Sequence, residues 1–223
     1  HLYFRAVLCL HKLSKYKEAL DVLEKGLQIY PGCTDMELCR GYIYSDLRRD
    51  LLAIKSFNKA ITMGEPHATL RFTDGCATVR PLMALAEVYL RQKDYTAAEE
   101  ACVKALGIDS KLYLALYKIC EIAKARGDSE EKTAKRLESF FGDLDHVPNL
   151  LMLADIMLTR GFTLSAQEYI DKAEKGSGYK GDLLVLKSKL MLLKGDYDLS
   201  YSLLKEFYEG GGRLEILIDL RKE

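Results

Sequence analysis

The chain has no tryptophan and only four prolines in 223 residues, so little in it interrupts a helix. It has no excess of charge of either sign. Thirty-three Lys and Arg balance thirty-three Asp and Glu, a formal net charge of zero, which removes the basic field that draws in nucleic acid. No nucleic acid partner is expected. No apolar run approaches the roughly 18 residues of a membrane span, so no membrane span is expected either. The six cysteines, Cys9, Cys33, Cys39, Cys76, Cys102 and Cys120, form no C-x-x-C pair and no zinc-type spacing with histidine. They read as reduced, mostly packing residues of a cytoplasmic protein, with Cys102 and Cys120 on apolar helix faces. A metal site from Cys33 and Cys39 with His11 or His67 is the alternative, without a paired spacing to support it. The remaining histidines are scattered, and H-E-x-x-H, G-x-S-x-G and a Gly-rich phosphate loop after a strand are all missing. No catalytic residue, metal or cofactor is expected, and the chain is expected not to be an enzyme by itself.

What the chain does have is a period. Small residues at Ala19, Ala53, Ala98, Ala166 and Ser200, with Lys132 standing at the fourth of six places, are spaced 34, 45, 34, 34 and 34 residues apart in order along the chain. Self-similarity of this length marks a solenoid of helix-turn-helix units. A single such unit cannot bury its apolar faces, so neighbours must stack into one continuous core. Small residues belong where two helices approach most closely. The units read as about 1–33, 34–66, 79–112, 113–146, 147–180 and 181–212, with an insert at about 67–78 and the start of a further helix at 213–223. The expected fold is all-α, with twelve or thirteen helices in a right-handed superhelix and no sheet.

The repeating face carries a family resemblance. KYKEALDVLEKGLQIYP places Ala19, Leu23 and Gly26 on one helix face, KDYTAAEEACVKAL does the same with Ala98, Cys102 and Ala105, and Ala166, Ile170 and Ala173 repeat it. These segments resemble the tetratricopeptide consensus over nearly the whole chain. Unit four departs from it at Lys132, and looser packing is expected there.

The irregular gap holds the insert Pro66 to Val79. Insertions in repeat proteins map to loops on one face, often the binding face. Met63-Gly64-Glu65, then Thr73-Asp74-Gly75-Cys76-Ala77-Thr78, then Leu82 to Tyr89 is similar to the tetratricopeptide region that follows the catalytic domain of bacterial family 2 glycosyltransferases. That resemblance implies a parent that transfers sugar from a nucleotide-activated donor through a separate amino-terminal domain. The Asp143-Leu144-Asp145 triplet has the spelling of a glycosyltransferase metal motif, but it falls between two predicted helices rather than at a rigid strand end, and it is discounted.

Function is therefore expected on the surface lined by the first helix of each unit. That lining includes Phe4, Arg5, Leu8 and His11, then Leu38, Tyr42 and Asp46, then Arg80, Met83, Glu87 and Arg91. Tyr117, Lys118, Glu121, Lys124, Met152 and Asp155 continue it. The residues expected to hold a partner are Tyr42, Arg80, Met83, Glu87, Arg91, Tyr117, Lys118 and Glu121. Tetratricopeptide domains that clamp chaperone tails use lysine and asparagine where Phe4 and Leu8 stand here, so that partner class is disfavoured. The expected partner is a protein or peptide segment. The apolar residues near the ends, such as Leu2, Leu8, Leu214 and Ile216, suggest a piece of a longer protein and a possible self-association surface. The expected role is the accessory region of a family 2 glycosyltransferase; the alternative is an adaptor unrelated to sugar transfer.

Overall fold

The computed structural model describes residues 2–66, 72–176 and 178–212. Among them are twelve α-helices and no strand. They run α1 (Leu2–Lys12), α2 (Tyr16–Ile29), α3 (Thr34–Asp46), α4 (Asp50–Met63), α5 (Val79–Arg91), α6 (Tyr95–Ile108) and α7 (Tyr113–Arg126). They continue as α8 (Glu130–Glu138), α9 (Val147–Thr159), α10 (Thr163–Ala173), α11 (Lys180–Lys194) and α12 (Tyr197–Glu209). Packing groups the chain into two compact units, His1–Ile122 and Ala123–Glu223. The segment 213–223, expected to open a further repeat, lies outside the described residues, as do His67 and Arg71 of the insert.

The period is visible in the backbone. One residue in each turn between paired helices takes a positive φ: Ser14, Arg48, Lys93, Gly127, Gly161 and Gly195. A left-handed residue is what reverses the chain after a helix end. These six turn residues repeat the 34, 45, 34, 34, 34 spacing of the sequence.

The small residues sit where close approach requires them. Ala19, Ala53, Ala98 and Ala166 are fully buried. One turn further, Leu23, Phe57, Cys102 and Ile170 are fully buried too. At Gly26 an added Cβ would stand 2.8 Å from the Met36 sulfur, so only glycine lets α2 approach α3 this closely. In the first unit Phe4, Val7, Ala19, Leu23, Cys33, Met36, Cys39 and Ile43 make one core cluster.

Lys132 corrects the reading of unit four. Its side chain is 65% exposed and pairs with Asp128 at 2.8 Å, while Thr133, Ala134 and Leu137 turn inward. After the Gly127 turn, α8 starts one residue later than its counterparts, capped by Ser129, whose side chain accepts from the Lys132 N–H. One extra residue rotates a helix by about 100°, which carries Thr133 into the place of the small residue. Ala98→Leu is expected to overpack its contact and cost about 1–3 kcal/mol, whereas Lys132→Ala is expected to change stability by less than about 0.5 kcal/mol. Chemical denaturation of the two variants checks this pair.

Most of the cysteines are packing residues, as expected. Cys33 is the N-cap residue of α3, and Cys39 lies inside that helix. Five of the six are buried and Cys9 is exposed, with no disulfide among them. Among the described residues no group of three His, Cys, Asp or Glu is arranged to hold a metal ion. Asp143 and Asp145 lie in the exposed α8–α9 connection, where the Asp145 N–H donates to the Asp143 carboxylate at 2.9 Å. No described helix is long and apolar enough to cross a membrane.

Candidate binding face

In the first compact unit the expected residues come from α3, α5 and α7, the first helices of successive repeats. Tyr42 on α3 is half-buried, its ring edge-on to Phe57 at 5.4 Å. Burial raises the pKa of its phenol, the Arg80 charge works the other way, and Cys39 adds to the rise. Arg80, at the start of α5, is exposed and donates from Nε to the Asp74 carbonyl at 2.8 Å. Met83 is half-buried one turn on.

Lys118 on α7 bridges two acids. Its ammonium lies 2.5 Å from Glu87 on α5 and 3.0 Å from Glu121 on its own helix. Burial of Lys118 works to lower its pKa, but the hydrogen bonds and charges of Glu87 and Glu121 outweigh this and hold it above the ordinary lysine value. The ammonium is therefore charged at neutral pH. Glu87 keeps 55% of its side chain exposed, leaving acceptor capacity beyond the pair.

Arg91 plays another part. It pairs with Asp50 of α4 and donates to the Ser45 hydroxyl of α3, tying two repeats together. His11 does likewise toward Asp46, at 2.6 Å. Tyr117 is half-buried on α7. In the second compact unit, Asp155 pairs with Lys189 at 2.5 Å, Met152 is half-buried, and the Lys124 amino group bonds the Arg160 carbonyl and sits 5.5 Å above the Phe162 ring.

The sequence reading assigned no site role to two acids. Asp35 occupies the same repeat position as Arg80, yet it is 1% exposed, and it accepts the Phe72 N–H at 3.0 Å. Glu65 accepts the Ala77 N–H at 3.3 Å and the Cys76 thiol at 3.6 Å. Repeat position alone marks Asp35; Glu65 was legible only as part of the Met63-Gly64-Glu65 pattern, not as an acceptor for the insert. These carboxylates leave the nearby sulfurs as thiols. Burial, with Asp35 and Cys33, pushes Cys39 up to about 12, and burial with Asp35 and Glu65 pushes Cys76 well above the ordinary range. A protonated thiol is a poor nucleophile. The face carries aromatic rings, a guanidinium and paired charges.

Residues 1–33 and 79–112 match the Tetratricopeptide repeat family. No curated protein matches the chain. Among solved structures the chain is similar to Pseudomonas aeruginosa PilF, at 17% identity and a TM-score of 0.52, covering 100% of this chain and 96% of that one. It is also similar to a tetratricopeptide repeat protein from Parabacteroides merdae, at 18% identity and a TM-score of 0.51, over 99% and 82% of the two chains. A third, YrrB, a tetratricopeptide protein with an unusual peptide-binding site, is 15% identical with a TM-score of 0.50, over 91% and 90%. The chain is thus an all-α solenoid of tetratricopeptide repeats.

Proposed function

We propose that the chain is a binding module that holds a protein or peptide segment on the face of α3, α5 and α7. The observation that supports this most is that these helices carry the Arg80 charge acting on the Tyr42 phenol and the Lys118 bridge to Glu87 and Glu121. Aromatic and arginine side chains are the usual energetic anchors of an interface, with losses of about 2 kcal/mol or more on truncation at the best positions. Solenoids of this type use such surfaces for partners. The face is mixed in charge, so a segment with both basic and acidic groups suits it better than a uniformly charged one.

The test is titration with peptides selected from a displayed random library against the wild-type chain. An Arg80→Ala, Glu87→Ala, Tyr117→Ala variant with unchanged helicity is expected to bind them at least about ten-fold more weakly. Tyr42 is changed separately to Phe, because its ring supports Phe57. Equal binding by the triple variant and the wild type overturns the reading.

The finer placement, as the non-catalytic region of a family 2 glycosyltransferase, rests on the Met63-Gly64-Glu65 and Thr73 to Thr78 pattern. The sequence upstream of His1 decides between it and an unrelated adaptor. A nucleotide-sugar domain there supports the first, and further repeats support the second.

A further inference from the structure

The positions that open the binding face are exposed in two repeats and closed in another. Arg80 and Leu114, equivalent in the third and fourth repeats, are exposed, whereas Asp35 in the second is 1% exposed. Phe4 and Leu38, one turn along the first helices of the first and second repeats, are 8% and 3% exposed, while their counterparts Met83 and Tyr117 remain half-open. The chain's own insert packs on two of the closed residues, Phe4 and Asp35. The ring of Phe72 stacks on Phe4, with centroids 4.7 Å apart and planes 18° from parallel. Its N–H donates to one Asp35 oxygen, and Cys76 and Ala77 behind it are buried. Glu65 holds the base of this turn, and Arg80 fastens it to α5 through Asp74 and Gly75.

The seat is not fully used. The other carboxylate oxygen of Asp35, Oδ1, is buried and takes no N–H among the described residues. A buried acceptor left unmade is costly, and a segment offering a second N–H would satisfy it. We infer that residues 72–78 act as an internal ligand of the α1–α3 end of the face, and that this end receives an aromatic residue of a partner peptide in exchange for Phe72. The ring stacks on Phe4, and adjacent main-chain N–H groups bind Asp35. This rests on the proposed role as a peptide-binding module and names the kind of segment taken. Because the occupant is tethered, its effective concentration is high, and the apparent affinity for an outside peptide falls by the fraction of seats left open.

The probe is a synthetic peptide with the chain's own sequence Thr-Leu-Arg-Phe-Thr-Asp-Gly, compared with the same peptide carrying Ala for Phe. A Phe72→Ala chain of wild-type helicity is expected to bind the first peptide at least about ten-fold more tightly than the wild type does. The second peptide is expected not to bind, and adding Asp35→Asn to Phe72→Ala is expected to weaken the first. Equal affinity of wild type and Phe72→Ala, or equal binding of the two peptides, overturns the inference. Should Phe72→Ala fail to fold, the Phe72 amide resonance of the wild type decides. It shifts when peptide displaces the ring, and an unmoved resonance at the highest peptide concentration overturns the exchange. A chain that takes library peptides through Arg80 and Glu87 but ignores this peptide keeps the proposed function and loses the inference.

Discussion

Phe57→Ala is expected to destabilise the chain by about 3–5 kcal/mol, the range for emptying a large aromatic site in a packed core. Phe57 is among the largest fully buried side chains. Its ring lies flush against Gly41 of the preceding helix and meets the edge of Tyr42. Gly41 exists for that ring, since a methyl group there would overlap it. Gly41→Ala alone is therefore expected to cost up to about 2 kcal/mol, an overpacking penalty of about 1–3 offset by roughly 1 of helix propensity. With Phe57→Ala already present, the same change should be neutral or stabilising, because the methyl enters the vacated space. A double-mutant cycle by chemical denaturation reads the coupling directly. Additive effects would show that the α3–α4 contact is not the close one described.

Arg40→Ala is expected to cost about 3 kcal/mol. Glu37 lies in the first turn of α3 with 1% of its side chain exposed, bonded by Arg40 at 3.2 Å and by Lys59 at 2.9 Å. Arg40 also reaches Glu24 on α2 at 2.7 Å. Removing one partner of a buried charge is expensive because the other stays buried, about 3–5 kcal/mol. The low end applies because Lys59 remains on the Glu37 oxygen. Glu37→Gln in the Arg40→Ala background should recover part of the loss, since a neutral amide demands less from its surroundings. Thermal unfolding of the two variants checks this, and no recovery would mean that the arginine stem, not its charge, stabilises the site.

Among the particular residues, legibility followed distance along the chain. Ala19, Leu23 and Gly26 were readable as one face because helix geometry maps a spacing of three or four residues onto one side. The repeat period was readable because most units place a small residue at the same close helix contact, as Ala19, Ala53, Ala98 and Ala166 do. Unit four shows the limit. The extra residue after Gly127 changes no spacing between turns, so Lys132 kept its place in the period while α8 rotated and brought Thr133 inward. On the candidate face, Tyr42 and Arg80 were legible as lining residues from their repeat positions, but the fate of Arg91 was not. Its partners Asp50 and Ser45 lie 41 and 46 residues earlier, and no local rule selects them over open solvent.

The sequence by itself determined the helices, their pairing and the spacing of the repeats, because these follow from short-range periodicity and from the need to bury one apolar face per helix. Only the tertiary structure decided which part of the face stands open. Phe72 meets Phe4 across 68 residues of chain, and its N–H meets Asp35 across 37. A loop's resting place depends on ring stacking and on a buried carboxylate that becomes available only after two repeats have packed. That long-range choice closes the α1–α3 end with the chain's own aromatic ring and leaves Arg80 and Glu87 exposed.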